Sequence, residues 1–477
     1  MFRSTKIVAT VGPASESEEQ LSSLMTAGVN VFRLNFSHGD HQNKAQVIAL
    51  IRRLSREKKR AVAILGDLQG PKIRTGLMKD GALQLTPGSE VIMTTRDVIG
   101  EGNMIPTIYT NLPEDVVPGN RILLDDGLME LEVLSASGTE VSCRVINGGV
   151  LKDRKGINLP GINVSAPALT EKDLVDLDFC IAQELDYLAL SFVRNAADVM
   201  ALEDILKSKA SPLLVIAKIE KPEAVDNFLA ILDVADGIMV ARGDLGVEIS
   251  PEKVPLIQKQ IIRQCKSAGK PVITATQMLE SMIHNPRPTR AETSDVANAI
   301  LDGTDAVMLS GETAAGKYPV EAVSVMVRVA KDIEADSLLK SGAFEPDSEA
   351  HGLPCLTEMI GQAACRVAEG VNAAAILAFT QTGSTAALVA KFRPRIPIIA
   401  VTPSRAVRRR MALYAGVHTL RVEIEGNTEA QIEKVNDAVI KSGWLKDGDF
   451  VVLTMGSPIS DPGTTNLLKV HCLKQKK

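Results

Sequence analysis

Aromatic residues are scarce in this chain of 477 residues, at 3% with a single tryptophan. Few side chains are therefore available as stacking platforms for the bases of single-stranded nucleic acid. The formal charge of −5 gives no global attraction to a phosphate backbone either. We expect no nucleic-acid partner.

Cysteine is also rare and carries no recognisable pattern. The six cysteines form neither a C-x-x-C pair nor a dense disulfide framework, so we expect reduced thiols. The start of the chain lacks the apolar stretch of a signal peptide, and no run reaches the ~18 apolar residues needed to cross a bilayer. These absences predict a cytoplasmic protein without a membrane partner.

Short apolar segments alternate with stretches of helical periodicity along most of the chain. Two of the helical stretches end at Gly28 and Gly269, a residue type suited to a helix C-terminus. Eight apolar segments read as buried parallel strands, which start at Thr5, Val29, Arg60, Asp186, Pro212, Asp236, Pro271 and Asp305. Repeated βα units of this kind predict an α/β fold built on a (β/α)₈ TIM barrel.

One interval between the predicted strands is far longer than the others. Segment 71–167 alternates β-like runs with turn signals such as TPGSE and VPGNR, which predicts an all-β domain inserted after the third strand. It would lie over the barrel mouth as a lid that excludes water, although a decorative insertion is an alternative. A Gly/Pro/acidic linker near 343–352 precedes a C-terminal α/β domain at 346–477. The discontinuous barrel then spans 1–70 and 168–345.

Reactive polar side chains follow three of the predicted strands directly. AKIEKPE offers Lys218 and Glu220, VARGDLGVE offers Arg242 and Asp244, and ITATQMLESM offers Thr276. The carboxyl ends of barrel strands share one face, where such barrels keep their active sites. A lysine, two carboxylates and a hydroxyl on that face suit a divalent metal and an anionic substrate.

The chain resembles the pyruvate kinase family along nearly its whole length. Eight motifs in barrel order carry the resemblance; besides the three segments above they include IVATVGPAS, FRLNFSHG, GPKIRTG, the stretch from Asn285 to Ala314, and GTTN. The resemblance implies a phosphotransferase that moves the phosphoryl group of phosphoenolpyruvate to ADP, giving pyruvate and ATP in glycolysis. It also implies Mg²⁺ or Mn²⁺, a homotetramer and allosteric regulation.

The same resemblance implies a role for each residue of the barrel face. Lys218 would stabilise charge on the transferring phosphoryl group, and Glu220 and Asp244 would hold the divalent metal. Backbone N–H groups at the start of the helix that contains Asp244 could receive the substrate carboxylate. The implied catalytic residues are Lys218, Thr276 and Arg33, and the implied substrate contacts are Arg33, Lys218, Gly243, Asp244 and Thr276. Each role has a simpler alternative. Lys218 could be a surface lysine, Glu220 and Asp244 generic loop acids, Asp244 a helix N-cap, and Thr276 an ordinary strand threonine.

A second implied site binds a monovalent cation. Family members hold K⁺ with groups that correspond to Asn35, Ser37, Asp67 and the Leu68 carbonyl. Where many members read DTKGPEIR this chain reads DLQGPKIR, so Lys72 replaces a glutamate. Because a lysine ammonium is a compact fixed charge, it can supply internally what K⁺ gives the others. We expect that K⁺ is not required.

The resemblance makes His38 and Arg74 contacts to the nucleotide and its phosphates. Only six histidines occur in the chain, and no other lies in a recognisable motif. Hydrolysis by a Ser-His-Asp triad therefore has no support.

In the C-terminal domain, a strand runs into hydroxyl residues and then a helix, an arrangement that favours phosphate at the helix N-terminus. The candidate effector residues are Thr380, Thr382, Gly383, Ser384 and Thr385. Simple N-capping is the alternative. Segment 456–465 lacks the Trp and Arg of bisphosphate-activated animal members, so we expect a phosphorylated effector with one phosphate, a sugar phosphate or AMP.

Two other functions fit part of the pattern. A metal-dependent lyase or aldolase of pyruvate or oxaloacetate could use the same barrel and carboxylates, but it needs neither the insert nor the C-terminal domain. A non-catalytic regulator on a kinase scaffold would be expected to have lost Lys218, Glu220 or Asp244. The phosphotransferase is the function that accounts for every segment.

Overall fold

A computed structural model describes residues 2–162, 164–165, 167–336, 356–423, 428–456 and 465–474. The helices within these ranges are all too short or too polar to cross a membrane. The cysteines within them, Cys143, Cys180, Cys265, Cys365 and Cys472, are free thiols. The predicted linker near 343–352 lies outside the described residues.

The barrel begins with two βα units and a third strand. Ser17 caps the first helix by accepting a hydrogen bond from the Gln20 N–H, and Gly28 ends it with a φ of 133°. A residue with a side chain rarely adopts this backbone conformation, which explains why the helix ends at a glycine, as the sequence predicts. The elements are β1 (Lys6–Val11), α1 (Glu18–Ala27), β2 (Val31–Asn35), α2 (His41–Glu57) and β3 (Ala63–Asp67).

The insert after β3 folds on its own hydrophobic core, whose buried members include Met93, Leu131 and Val141. Its described elements are β4 (Ala82–Leu85), β5 (Glu90–Thr94), β6 (Met104–Pro106), α3 (Leu112–Asp115), β7 (Arg121–Leu124), β8 (Met129–Ser137), β9 (Glu140–Asn147), β10 (Gly149–Lys152) and β11 (Ile157–Asn158). A six-stranded sheet has the order β11-β7-β8-β9-β5-β6, and β10 pairs with β4. The predicted β character of the insert is confirmed, and its limits at 71 and 167 stay predictions.

The second part of the barrel supplies the remaining strands. Its elements are α4 (Glu171–Ala182), β12 (Tyr187–Leu190), α5 (Ala196–Ser208), β13 (Leu214–Ile219), α6 (Pro222–Asp226), α7 (Phe228–Val234), β14 (Gly237–Ala241), α8 (Arg242–Glu248), α9 (Val254–Ala268), β15 (Val272–Ala275), α10 (Arg290–Asp302), β16 (Ala306–Leu309), α11 (Gly311–Ala314) and α12 (Pro319–Ala335). Helix α9 ends at Gly269 in the left-handed conformation, as the sequence predicts.

Strand β1 pairs in parallel with both β2 and β16, which closes the barrel in the order β1-β16-β15-β14-β13-β12-β3-β2. Every one of the eight predicted segments supplies one of these strands, so the predicted TIM barrel is confirmed. Alternate strand residues such as Val8 and Ile216 fill the interior, whereas Ile7 and Val215 pack outwards against the helices. Since the strands are parallel, their carboxyl ends all meet at one face.

The C-terminal domain is a second α/β unit. It contains α13 (Leu356–Gly370), β17 (Ala375–Phe379), α14 (Ser384–Lys391), β18 (Ile398–Thr402), α15 (Arg405–Arg410), β19 (Val417–Arg421), α16 (Thr428–Lys441), β20 (Phe450–Met455) and β21 (Leu467–Cys472). The four predicted strands are confirmed, whereas the edge strand β21, antiparallel to β20, was not predicted. Contacts to the amino-terminal face of the barrel include the Asp186–Arg409 ion pair at 2.7 Å.

Candidate active site

Lys218, near the end of β13, is the centre of a buried ionic cluster. Its Nζ lies 2.8 Å from Glu220 Oε1 and 3.3 Å from Asp67 Oδ1, and it donates a hydrogen bond to Ser191 Oγ at 2.7 Å. Burial by itself lowers the pKa of a lysine, but the two carboxylates outweigh it and raise the pKa of Lys218 above its ordinary value. The side chain is therefore a permanent cation on the predicted face.

Arg33 and Asp67 form a second ion pair, on the neighbouring strands β2 and β3. Arg33 Nε donates to Asp67 Oδ2 at 2.6 Å, and Nη1 donates to Thr10 Oγ1 at 3.0 Å. Burial works to raise the pKa of Asp67, but Lys218 and Arg33 overcome this effect and hold it below its usual value. Asp67 is therefore an ionised carboxylate between two cations.

The two predicted metal ligands differ in their surroundings. Glu220 is buried, and its second oxygen accepts a hydrogen bond from the Phe192 N–H at 2.7 Å. Burial and the nearby Asp244 raise the pKa of Glu220, whereas Lys218 opposes the shift. Asp244 is half-buried, and its carboxylate accepts no hydrogen bond from the described residues. The N-cap of α8 is Ala241, so the N-cap alternative for Asp244 is wrong.

Thr276 follows β15 directly and is held in the left-handed conformation, with a φ of 68°. Its hydroxyl accepts from the Gly243 N–H at 2.7 Å and donates to the Ala275 carbonyl at 2.6 Å. Arg242 donates to the Thr276 carbonyl at 2.8 Å and pairs with Asp295 at 2.7 Å. A β-branched residue at positive φ is strained, and these bonds hold the hydroxyl against α8.

The predicted cation-site groups lie beside this cluster. Asn35 is paired with Asp67 in the β2–β3 register, and its Oδ1 accepts from the Ser37 N–H at 2.9 Å. The Leu68 carbonyl accepts from Ser191 Oγ at 2.7 Å. Asp67 has its ion pairs with Arg33 and Lys218, and Lys72 forms none with the described residues.

His38 and Arg74 lie at the mouth of the barrel, among several cations. Partial burial lowers the pKa of His38, and Arg74, Lys44, Lys72 and Arg33 lower it further. A cavity of about 620 Å³ opens beside His38, and its lining includes Gly12, Arg33, Asn35, His38, Lys44 and Ser310. The structure therefore brings the predicted nucleotide residue His38 next to the predicted phosphate ligand Arg33.

The predicted effector residues form a compact loop before α14. Thr380 Oγ1 accepts from the Gly383 N–H at 2.8 Å, and Gly383 has a φ of 104°. Thr382 Oγ1 donates to Ser384 Oγ at 3.1 Å, while the buried Thr385 hydroxyl lies 3.0 Å from Thr465 Oγ1. Most of segment 456–465 lies outside the described residues.

Sequence reasoning missed one polar residue at the centre of the cluster. Ser191 links Lys218 to the Leu68 carbonyl through hydrogen bonds of 2.7 Å each. It follows β12 directly, as the other site residues follow their strands. That position within LALSFV was the signal that could have identified it.

The structure combines a closed parallel barrel with an inserted β domain, and a lysine lies between buried carboxylates at the carboxyl face of the barrel. These features define a barrel enzyme for anionic substrates. The family model described as "Pyruvate kinase, barrel domain" matches residues 2–323, and "Pyruvate kinase, alpha/beta domain" matches 358–471. The chain therefore belongs to the pyruvate kinase family.

Individual relatives agree with the family models. The chain is 50% identical to a pyruvate kinase of Geobacillus stearothermophilus over 99% of its own length and 81% of the relative's. It is 48% identical to one from Staphylococcus aureus (strain USA300), with 98% and 80% covered. A crystal structure of a pyruvate kinase from Cryptosporidium parvum superposes with a TM-score of 0.91 at 39% identity, covering 99% of this chain and 96% of that one.

The predicted enzyme class is thereby confirmed. The chain is a phosphotransferase that converts phosphoenolpyruvate and ADP into pyruvate and ATP, a reaction that depends on a divalent metal. The comparisons support neither the lyase or aldolase nor the non-catalytic regulator.

Proposed function

We propose that Lys218 stabilises the negative charge that develops as the phosphoryl group leaves phosphoenolpyruvate. Phosphoryl transfer needs positioning and electrostatic stabilisation rather than covalent chemistry by the protein. The observation that carries the proposal is the position of Lys218 Nζ, 2.8 Å from Glu220 and held by Ser191 at the carboxyl face. Arg33, fixed by Asp67 and Thr10, supplies the second cation for the phosphate.

Glu220 and Asp244 are the residues that would hold Mg²⁺ or Mn²⁺. The described residues contain no group of three or more His, Cys, Asp or Glu side chains that could hold a metal. Two carboxylates suffice here, because Mg²⁺ is commonly bound by one or two carboxylates together with substrate oxygens and water. The carboxylate of Asp244 is free to bind a cation, and the raised pKa of Glu220 means that its negative charge is disfavoured where it lies. A bound cation would stabilise both negative charges. When bound, the metal neutralises charge on the substrate oxygens.

The substrate carboxylate would bind at the N-terminus of α8, at the N–H groups of Gly243 and Asp244. In the structure the Gly243 N–H donates to Thr276 Oγ1, so the substrate would have to share or replace that hydrogen bond. Thr276 would then stand beside the enolate carbon and direct the proton to it, directly or through water. The nucleotide would enter the cavity beside His38, with Arg74 near its phosphates.

Lys72 is proposed to replace K⁺, so that the enzyme works without a monovalent cation. Its charge acts at the mouth of the barrel, since it lowers the pKa of His38 together with Arg74 and Arg33. The oxygens of Asn35, Ser37 and Leu68 and the carboxylate of Asp67 would otherwise form the cation site.

The C-terminal loop from Thr380 to Thr385 is proposed to bind a phosphorylated effector with a single phosphate. The Thr382 and Ser384 hydroxyls lie together at the start of α14, where anions are favoured. We also propose a homotetramer, as the family resemblance implies, and a cytoplasmic location, as we expect from the sequence.

A coupled assay tests the reaction directly. Pyruvate formation from phosphoenolpyruvate and ADP is measured by lactate dehydrogenase and NADH, with Mg²⁺, with Mn²⁺ and with a chelator. Turnover that depends on the divalent metal supports the proposed chemistry. Turnover that is unchanged when both Glu220→Gln and Asp244→Asn are introduced would remove these residues from the metal site.

A further inference from the structure

The carboxylate of Glu248 joins three segments of the chain beside the proposed metal ligands. Glu248 is the last residue of α8, and its side chain is 1% exposed. Its Oε1 accepts hydrogen bonds from Lys221 Nζ at 2.7 Å and from Asn158 Nδ2 at 2.9 Å. The other oxygen, Oε2, is buried without a hydrogen-bond partner among the described residues.

Each of the two donors belongs to a different functional segment. Lys221 directly follows Glu220 and is the N-cap of α6. Asn158 ends β11, so it belongs to the inserted β domain. Glu248 itself lies about one helical turn beyond Asp244 on α8. A single buried carboxylate therefore contacts both ligand-bearing segments of the barrel and the insert.

The Lys221–Glu248 ion pair is expected to persist in the folded protein for a physical reason. A buried carboxylate is tolerated only when it is paired and hydrogen-bonded. Separating Lys221 from Glu248 would leave a buried charge without its partner, so the two side chains are expected to stay in contact as long as the protein is folded. The pair fixes the loop after β13 relative to α8 and hence the separation of Glu220 from Asp244. The side-chain amide of Asn158 connects the insert to this ion pair through a hydrogen bond, and because the amide is neutral it does not change the net charge of the pair.

We propose that Glu248 and Lys221 are positioning residues for the metal ligands, and that Asn158 couples the position of the inserted domain to them. The inference rests on the proposed roles of Glu220 and Asp244. Coupling of this kind is reciprocal, so a metal bound at the two carboxylates stabilises the docked insert to the same extent as the docked insert favours the metal.

A positioning role and a purely electrostatic role predict opposite effects of Lys221→Met on metal binding. Lys221→Met removes a positive charge close to the proposed cation site, so a purely coulombic role would leave metal binding unchanged or tighten it. A positioning role weakens metal binding, because the two ligand segments lose their link. The sign of the effect therefore distinguishes the two roles.

The test measures Mn²⁺ binding to the full-length protein without substrate, by electron paramagnetic resonance of the free ion. We expect Lys221→Met and Asn158→Ala each to raise the Kd for Mn²⁺ about fivefold or more, the lower end of typical coupling between sites. Asn147→Ala is the matched control, since Asn147 bonds Glu130 within the insert, and its Kd should equal that of the wild type. Circular dichroism checks that each variant is folded.

Hydrogen exchange supplies a second readout that does not depend on activity. Mn²⁺ should slow the exchange of the Ile157 and Asn158 amides in the wild type and should not do so in Asn158→Ala. Because Asn158→Ala leaves the Lys221–Glu248 pair intact, it tests the proposal even if Lys221→Met fails to fold.

Two further variants separate this proposal from the metal site on which it rests. If Glu220→Gln and Asp244→Asn abolish Mn²⁺ binding while Lys221→Met and Asn158→Ala bind as the wild type or more tightly, the positioning role is wrong and the metal site stands. If Glu220→Gln and Asp244→Asn bind Mn²⁺ normally, the metal site itself is wrong. Weaker binding in all four variants supports both.

Discussion

The hydroxyl oxygen of Thr276 lies 2.7 Å from the backbone nitrogen of Gly243, and it accepts that N–H as a hydrogen bond. The contact joins the end of β15 to the first turn of α8, the helix that contains Asp244. It makes Thr276 both a candidate for directing the proton to the enolate and a support for the substrate-binding helix.

Substitutions at Thr276 can separate these two roles. Thr276→Val keeps the shape but removes the acceptor and the hydroxyl, so we expect kcat to fall about 10²-fold, as for other lost acid–base or orienting groups. Thr276→Ser keeps the hydroxyl and should stay within about tenfold of the wild type. Steady-state kinetics and the rate of enolpyruvate ketonisation measure the effect. Equal rates in the Val and Ser variants would exclude a role for the hydroxyl.

Lys218→Met removes the cation of the central cluster. If Lys218 stabilises charge that appears only in the transition state, kcat should fall on the order of 10²-fold or more with little change in KM for phosphoenolpyruvate. The fold should survive. Lys207→Met is the control, since the Lys207 side chain is 70% exposed and pairs with Glu203 on the surface. A kcat near the wild-type value in Lys218→Met contradicts the assignment.

Activity in the absence of K⁺ tests the role of Lys72. We expect the wild type to be active in potassium-free and sodium-free buffer, because Lys72 supplies the positive charge. Lys72→Glu adds a carboxylate at the position of the commoner family residue and should become dependent on KCl, titrated at constant ionic strength. Lys152→Glu, the same charge change at an exposed position of strand β10, should not. A wild type that is inactive until KCl is added contradicts the prediction.

The effector loop is tested by saturation with phosphoenolpyruvate in the presence of candidate activators. Glucose 6-phosphate, ribose 5-phosphate or AMP should raise the apparent affinity by roughly 5 to 150-fold, and fructose 1,6-bisphosphate should have less effect. The double variant Thr382→Ala/Ser384→Ala should lose the response, while Ser442→Ala, elsewhere in the same domain, should keep it. Equal activation of both proteins places the site elsewhere, and no activation leaves the loop a simple cap.

We expect His418 to make the junction between the barrel and the C-terminal domain sensitive to acid. Burial, together with Lys6, Arg3 and Arg60, lowers the pKa of His418 from 6.5 to about 2. The unfolded chain therefore takes up a proton below pH 6.5 that the folded protein does not, so stability falls as the pH decreases from 6.5 towards 2. The expected loss between pH 6.5 and 5 is roughly 1.5 kcal/mol.

Urea unfolding followed by Trp444 fluorescence reports on this junction, because the Trp444 ring lies 6.2 Å from that of His418. His418→Gln should flatten the dependence of stability on pH by the stated amount, and the exposed His284→Gln should not. An identical pH dependence in the wild type and His418→Gln would contradict a neutral His418 in the folded protein.

Much of the fold could be predicted because hydrophobic periodicity is a local property. All eight barrel strands and four strands of the C-terminal sheet appear where their apolar runs predict them. Strand β21 escaped prediction because its side chains are largely half-buried or exposed at a sheet edge, where the apolar signal is weak. The domain limits and the roles of the site residues stay predictions.

The sequence by itself determined which residues follow the strands, and parallel strands bring such residues to one face. Only the tertiary structure decided which of them touch. Ser191 and Asp67 are 124 positions apart, and Asn158 and Glu248 are 90 apart, yet each pair is in contact. Local patterns carry no information about such partners, because these contacts arise from the closure of the barrel and the docking of the insert onto it.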